Sequence, residues 1–129
     1  MELLDIDGNK TSGIQVKNSK YTLIDFWYTN CGQCIAKFPA LSTVYETYHT
    51  QGFEIVGIAT DALKYKKDLP ITIEKHKLKW LQYWDLNGKG ATALSILAFP
   101  TNYLLNAEGY ILEKNISAAE LNLFLNKNL

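Results

Sequence analysis

The stretch Tyr21-Thr-Leu-Ile-Asp-Phe-Trp-Tyr-Thr-Asn-Cys-Gly-Gln-Cys34 contains the two features that decide the fold. Residues 21–28 are apolar and rich in β-forming side chains almost throughout, which predicts a central strand that is buried on both faces. Cys31 and Cys34 follow directly and are the only cysteines of the chain. A Cys-x-x-Cys pair between a strand and a helix is more often redox-active than structural, so this stretch indicates thiol chemistry.

Length and composition are those of a single domain, residues 1–129, with 47% hydrophobic residues to build its core. The formal net charge is zero, from 13 Lys and Arg against 13 Asp and Glu, which gives no reason to expect binding to nucleic acid. No apolar run approaches the roughly 20 residues of a transmembrane helix, and the first residues show no signal peptide.

The rest of the chain predicts alternating strands and helices. Apolar residues at helical spacing predict a helix over 32–51, kinked at Pro39 and ended by Gly52, and a second buried strand follows over 53–59. The other predicted elements are a hairpin over 3–14, a helix over 62–78 with a break at Pro70, an extended piece over 80–84, a short helix over 90–97, a hairpin of 101–105 with 110–113, and a helix over 117–128 that opens with the capping box of Ser117 and Glu120. A parallel crossover followed by an antiparallel hairpin implies an α/β fold with a mixed sheet and helices on both faces.

Cys31 is expected at the N-terminus of the first helix, and this position has a chemical consequence. Free backbone N–H groups and the positive end of the helix dipole favour a thiolate there, so they lower the pKa of Cys31. The thiolate is the nucleophile of disulfide exchange. Cys34 lies one turn deeper, where it can resolve a mixed disulfide, and Gly32 allows a tight turn between the two.

Other roles for the cysteine pair have less support in the residues. A zinc site needs more ligands, but His49 and His76 stand alone and there is no second cysteine pair. An inert pair would place both cysteines at a helix start by chance. The Pro-x-x-x-Thr-x-x-Cys motif of a peroxidatic cysteine is absent before Cys31. The alternative that stays open is a non-catalytic module that holds a partner, or a soft metal such as Cu(I), through the pair.

Asp25 and Pro100 are the two further candidates for a functional role. Asp25 interrupts the apolar strand, where burial should raise the pKa of its carboxyl and let it carry the proton that Cys34 must lose. The alternative is a carboxylate that local donors satisfy and that takes no part in catalysis. Pro100 stands at the start of a predicted strand, where proline is ordinary and where general frequencies favour a trans peptide bond.

The segment Asp25-Phe-Trp-Tyr-Thr-Asn-Cys-Gly-Gln-Cys34, followed by Phe38-Pro39 and by Phe99-Pro-Thr-Asn-Tyr103, resembles the thioredoxin superfamily. More narrowly, it is similar to the extracytoplasmic thiol-disulfide oxidoreductases related to TlpA and ResA. The resemblance runs from about Leu3 to the C-terminus. It implies a thioredoxin-like three-layer sandwich, with an N-terminal β-hairpin and a β/α insert before a cis-proline.

The resemblance also implies a set of site residues and no cofactor or metal. Cys31 would be the attacking thiol, Cys34 the resolving thiol, and Asp25 the buried acid that transfers a proton. Trp27 would be a substrate-binding aromatic residue that shields the site. Phe99 and the cis-proline Pro100 would contact an extended substrate segment.

Three residues depart from the family pattern. Asn30 replaces the usual tryptophan before the first cysteine, and Gln33 replaces the usual proline between the cysteines. Lys37 stands where the cytochrome-maturation members carry a glutamate, which weakens the case for that pathway. Lys37 either favours the thiolate of Cys34, one turn away, or is a solvated surface lysine.

The sequence therefore predicts a thiol:disulfide oxidoreductase that exchanges disulfides with protein substrates, in the reducing direction. The expected partners are protein disulfides or dithiols and an upstream redox partner, and the domain is expected to be a monomer. The resemblance implies a periplasmic or other extracytoplasmic location, as part of a longer membrane-anchored protein or lipoprotein.

Overall fold

The predicted central strand is present as β1 (Tyr21–Trp27), the middle strand of one sheet. The structure is a computed structural model that describes residues 1–16 and 19–129. Every residue of β1 after Tyr21 is buried, as the near-continuous apolar run predicts for a strand covered on both faces. β1 pairs in parallel with β2 (Phe53–Ala59) and antiparallel with β4 (Thr101–Asn106).

β3 (Leu81–Trp84) runs parallel to β2, and β5 (Ile111–Lys114) runs antiparallel to β4. Within the described residues the sheet has five strands, in the order β3-β2-β1-β4-β5. The first half of the chain thus supplies the parallel strands and the second half the antiparallel hairpin. This arrangement confirms the predicted mixed sheet.

Alternate residues of β1 belong to two different cores, because successive side chains of a strand point to opposite faces. Leu23 and Trp27 lie in the core that includes buried side chains of the helices α1 (Gly32–Tyr48), α2 (Asp68–Lys75) and α4 (Ala118–Asn128). Ile24 and Phe26 lie in the other core, with Leu3 of the N-terminal segment and Ala91 of the five-residue helix α3 (Lys89–Ala93). Asp25 alternates with Leu23 and Trp27 along β1, so its side chain faces the same side of the sheet as theirs, the side of α1.

Helix α1 is a single element that continues through Pro39, as predicted. A 3-10 turn over His49–Gln51 follows it, and Gly52 ends the segment with a φ of 106°, which only glycine adopts readily. Among the described residues, no helix is long and apolar enough to cross a bilayer. The capping box predicted at the start of α4 is present, with Ser117 and Glu120 bonded reciprocally.

The N-terminal hairpin predicted over residues 3–14 is reduced to one antiparallel bridge, Leu4 to Lys10. Beyond this bridge the carbonyl of Leu3 accepts the hydroxyl of Thr11 over 2.7 Å, and the backbone ladder of residues 3–14 does not continue. Leu4 is also bridged to Trp84 of β3. Its N–H donates to the carbonyl of Trp84 over 2.8 Å, and its carbonyl accepts from the N–H of Trp84 over 2.7 Å. The N-terminal segment thus extends the sheet beyond β3 instead of forming a separate ribbon.

The helix predicted over residues 62–78 is shorter than expected. A 3-10 turn over Leu63–Tyr65 precedes α2, and Pro70 lies in the first turn of α2 rather than at a break. Proline is tolerated there because the N–H groups of a first helical turn have no partner within the helix. The short helix predicted over 90–97 is α3, and it ends before Ser95, which has a positive φ of 60°.

Candidate active site

The cysteine pair lies where the chain passes from β1 into α1. Cys31 is the N-cap residue of α1, and its Sγ accepts a hydrogen bond from the backbone N–H of Cys34 over 3.2 Å. The two cysteines form a disulfide, and they are 3% and 1% exposed. Their neighbours Asn30 and Gln33 are exposed, so the disulfide lies just below an open, polar surface. The predicted position of Cys31 at the helix start is present in the structure.

The loop that leads to Cys31 is fixed by residues that follow β2. The carboxylate Oδ1 of Asp61 accepts the backbone N–H of Thr29 over 2.9 Å, and the N–H of Thr60 donates to the carbonyl of Trp27 over 2.8 Å. Asp61 is 4% exposed, and burial raises the pKa of its carboxyl. Asp61 was not predicted as a site residue from the sequence. Its one sequence signal is an acidic residue directly beyond the end of a buried parallel strand.

Asp25 lies below the disulfide with its carboxyl removed from water. It is 3% exposed, and no residue within 1–16 and 19–129 forms a hydrogen bond with the carboxyl group. Burial raises the pKa of Asp25 to about 7, and the positive charge of Lys37 acts in the opposite direction. The perturbed carboxyl that the sequence predicts is therefore present, on the same face of the sheet as α1.

A cavity of about 440 Å³ joins Asp25 to Cys34 and Pro100. Its other polar lining comes from Lys37 of α1 and from the segment between β5 and α4, with Asn102 of β4 opposite. The Asn102 side chain is held by the backbone of Ile116, to which it donates over 3.0 Å and from which it accepts over 3.0 Å. The asparagine carried no signal in the sequence, because only the fold brings it to the cavity.

The Phe99–Pro100 peptide bond is cis, and Phe99 lies at the edge of the site. The ring of Phe99 meets the ring of Tyr28 edge to face, with centroids 5.5 Å apart. Phe99 also lines a second groove, of about 280 Å³, together with Thr60 and the exposed Leu97. Phe99 and Pro100 thus lie between this groove and the cavity of Asp25.

The structure corrects the predicted contact between Trp27 and a substrate. Trp27 is 0% exposed, its ring packs against Phe38, and its Nε1 donates to Gln82 over 3.0 Å. Alternation along β1 puts Trp27 on the same inner face as Asp25. The aromatic side chain that reaches the surface is the next residue, Tyr28, which is 36% exposed.

A mixed sheet that presents a Cys-x-x-Cys disulfide at a helix start, above a buried carboxyl, defines a thioredoxin-like redox protein. Comparison with known proteins narrows this class. The chain belongs to the AhpC/TSA family, whose family model matches residues 1–114.

Curated relatives and solved structures agree with this assignment. The chain is 29% identical over 112 residues to the thiol-disulfide oxidoreductase ResA of Bacillus cereus, covering 87% of this chain and 63% of ResA. It therefore spans less than two thirds of that relative.

The thioredoxin domain of a thiol-disulfide oxidoreductase from Bacteroides vulgatus superposes with a TM-score of 0.83 and 29% identity, covering 99% of this chain and 91% of that one. A thiol:disulfide interchange protein from Bacteroides sp. gives a TM-score of 0.79 and 30% identity, covering 98% of this chain and 84% of that one. The predicted thioredoxin-like fold and the resemblance to ResA are thereby confirmed.

Proposed function

We propose that this domain catalyses thiol–disulfide exchange with protein substrates through Cys31 and Cys34. One observation carries the proposal: the two cysteines form a disulfide at the first turn of α1, directly below exposed residues. The names of the relatives, thiol-disulfide oxidoreductase and thiol:disulfide interchange protein, support it.

In the reducing direction, the reaction starts from the dithiol. The thiolate of Cys31 attacks one sulfur of a substrate disulfide, which forms a mixed disulfide and releases one substrate thiolate that takes up a proton. Cys34 then attacks the Sγ of Cys31, which releases the second substrate thiol and leaves the Cys31–Cys34 disulfide. The substrate has then gained two electrons from the domain. An upstream dithiol partner supplies two electrons to the Cys31–Cys34 disulfide and so restores the dithiol.

Asp25 is the proposed proton acceptor for Cys34. Both residues line the same cavity, and a carboxyl with a pKa of about 7 can accept and lose a proton near neutral pH. Exposed Lys37 lines the same cavity, so the cavity reaches the surface and water can exchange that proton with the solvent. Asp25 thus completes the resolving half of the reaction.

The proposed contact for the substrate chain is the backbone of Phe99, beside Pro100. In the part of the chain that the structure describes, no backbone group forms a hydrogen bond with the N–H or carbonyl of Phe99. These free groups can bind an extended segment in the manner of strand addition. Tyr28, rather than Trp27, is then the aromatic side chain beside the bound segment.

A trapping experiment tests the proposal. In the Cys34→Ala variant, Cys31 should still attack but nothing should resolve the mixed disulfide, so expression in the natural host should accumulate covalent, dithiothreitol-sensitive adducts. The matched control is Cys31→Ala, which should trap far less.

Reduction of insulin by dithiothreitol provides the second measurement. The wild-type domain should accelerate precipitation of the insulin chains, whereas both alanine variants should not. A wild-type rate equal to the dithiothreitol background would contradict exchange activity and favour the non-catalytic, partner- or Cu(I)-binding alternative.

We also propose that the domain works outside the cytoplasm, as a monomeric unit of a longer anchored protein or lipoprotein. The likeness to ResA supports the location. A fusion of the natural gene to alkaline phosphatase tests it, since that enzyme is active only after export. A fusion that is as inactive as a phosphatase retained in the cytoplasm would contradict the proposal.

A further inference from the structure

The cavity below the disulfide has one basic side chain, Lys37, among the described residues that line it. We propose that Lys37 is a positioning residue whose ammonium group is the counter-charge of the Asp25 carboxylate, and that it sets the pH range in which Cys34 resolves the mixed disulfide. This inference rests on the proposed function and assigns a further residue to the same site.

The helix places Lys37 at the cavity. Residues three apart on an α-helix share a face, and helical side chains lean towards the N-terminus, so Lys37 of α1 is directed towards Cys34. Lys37 is exposed, yet it lines the same cavity as the buried Asp25. A lysine in this position can lay its apolar stem along the wall while the ammonium group stays in contact with water.

Besides Lys37, Cys34 of α1, which gives up its proton in the proposed step, is the other titratable side chain among the described residues that lines the cavity with Asp25. The remaining polar lining among the described residues has no titratable side chain: Asn102 on β4, Asn115 after β5, and Ser117 at the start of α4. Within residues 1–16 and 19–129, Lys37 forms no ion pair within 4.0 Å. Its charge is therefore free to act on Asp25 through the cavity.

The direction of the effect follows from the proton transfer. Asp25 can accept the proton of Cys34 only as a carboxylate, and burial holds the pKa of Asp25 at about 7. Lys37 favours the carboxylate, since an opposite charge nearby lowers the pKa of an acid. Removing that charge should raise the pKa of Asp25 and move the resolving step to higher pH.

The experiment measures resolution in a single turnover. The reduced protein is mixed rapidly with a small symmetrical aromatic disulfide, so that attack by Cys31 forms the mixed disulfide and releases the first aromatic thiol. Release of the second thiol, when Cys34 attacks Cys31, is followed from about pH 5 to pH 9, on either side of the expected titration. For Lys37→Gln we expect the midpoint of the pH dependence to lie about 0.5 to 1 pH unit higher than in the wild type. Below that midpoint, the second thiol should be released about threefold to tenfold more slowly. Lys37→Glu should move the midpoint of the pH profile further in the same direction. Lys37→Arg keeps the positive charge and should retain the wild-type profile.

Three comparisons separate a charge effect from a structural one. Lys127→Gln removes an exposed lysine near the end of α4, outside the cavity, and should leave the profile unchanged. Added salt should reduce the difference between wild type and Lys37→Gln, because it screens an exposed charge. In an Asp25→Asn background, Lys37→Gln should cause no further shift.

Identical profiles for wild type and Lys37→Gln would overturn the inference, and so would a shift that persists without Asp25. The titration of ¹³C-labelled aspartate in the reduced protein gives a readout without any substrate. If the wild type performs no exchange, the proposed function fails. Movement of the Asp25 titration in Lys37→Gln would still support the electrostatic link, and an unmoved titration would refute it.

Discussion

At the scale of single residues, the buried carboxyl of Asp25 lowers the free energy of unfolding when it is ionised. A carboxyl that is 3% exposed in the folded chain is hydrated in the unfolded one, so ionisation favours unfolding. With a folded pKa of about 7 against an ordinary value of 3.8, the unfolded chain binds fewer protons between these values. The free energy of unfolding should therefore fall as the pH rises from about 4 to about 7.

Replacement of Asp25 by asparagine should remove this penalty. We expect Asp25→Asn to be more stable than the wild type at pH 7, by about 3 kcal/mol, and to have nearly the same stability at about pH 4, where the wild-type carboxyl is neutral. Urea unfolding of both proteins at about pH 4, 5.5 and 7 measures the difference. A gap that stays constant with pH would contradict a raised pKa.

At the scale of elements, the parts that the sequence located best are those in which local pattern and tertiary environment agree. The apolar run of β1, the helical spacing of α1 and the capping box of α4 each specify their own structure. The prediction of the N-terminal hairpin was wrong in extent, because the carbonyl of Leu3 accepts the Thr11 hydroxyl and Leu4 also pairs with Trp84, far along the chain. No local pattern indicates a pairing of that kind.

The same distinction applies to the site. Cys31, Cys34 and Asp25 lie on one strand and the helix after it, so a single stretch of sequence brings them together. Asp61 and Asn102 come from the end of β2 and from β4, which only the sheet order places beside β1. The burial of Trp27 follows from the sequence, because the residue belongs to a strand that is predicted to be buried on both faces, whereas its contact with a substrate was implied by the resemblance alone.

The start of α1 leads to a prediction about thiol reactivity. In the reduced protein, Cys31 at the N-cap should titrate below the value of about 8.5 for a free thiol and should alkylate faster than Cys34. Iodoacetamide labelling of single-cysteine variants across pH, read by mass spectrometry, gives both quantities. If Cys31 titrates at or above the free-thiol value, the helix does not activate it.

At the scale of the whole molecule, the two faces of the sheet are covered unequally. Side chains of α1, α2 and α4 contribute to the core on the side of the cysteines. The opposite core is covered by the short α3, by the loop that follows it and contributes Ile96, and by the N-terminal segment with its buried Leu3. The N-terminal segment is therefore part of the third layer, and the disulfide lies across the sheet from it.

This separation predicts that stability can be lowered without changing the chemistry. Leu3 is 3% exposed, so Leu3→Ala should lower the free energy of unfolding by about 2–4 kcal/mol through lost burial and a cavity. The matched control Leu123→Ala removes a side chain that is 70% exposed and should change stability little. Both variants should reduce insulin at the wild-type rate under conditions where they are fully folded, because Leu3 lies across the sheet from the disulfide. Slower exchange by folded Leu3→Ala would show that the two faces are coupled.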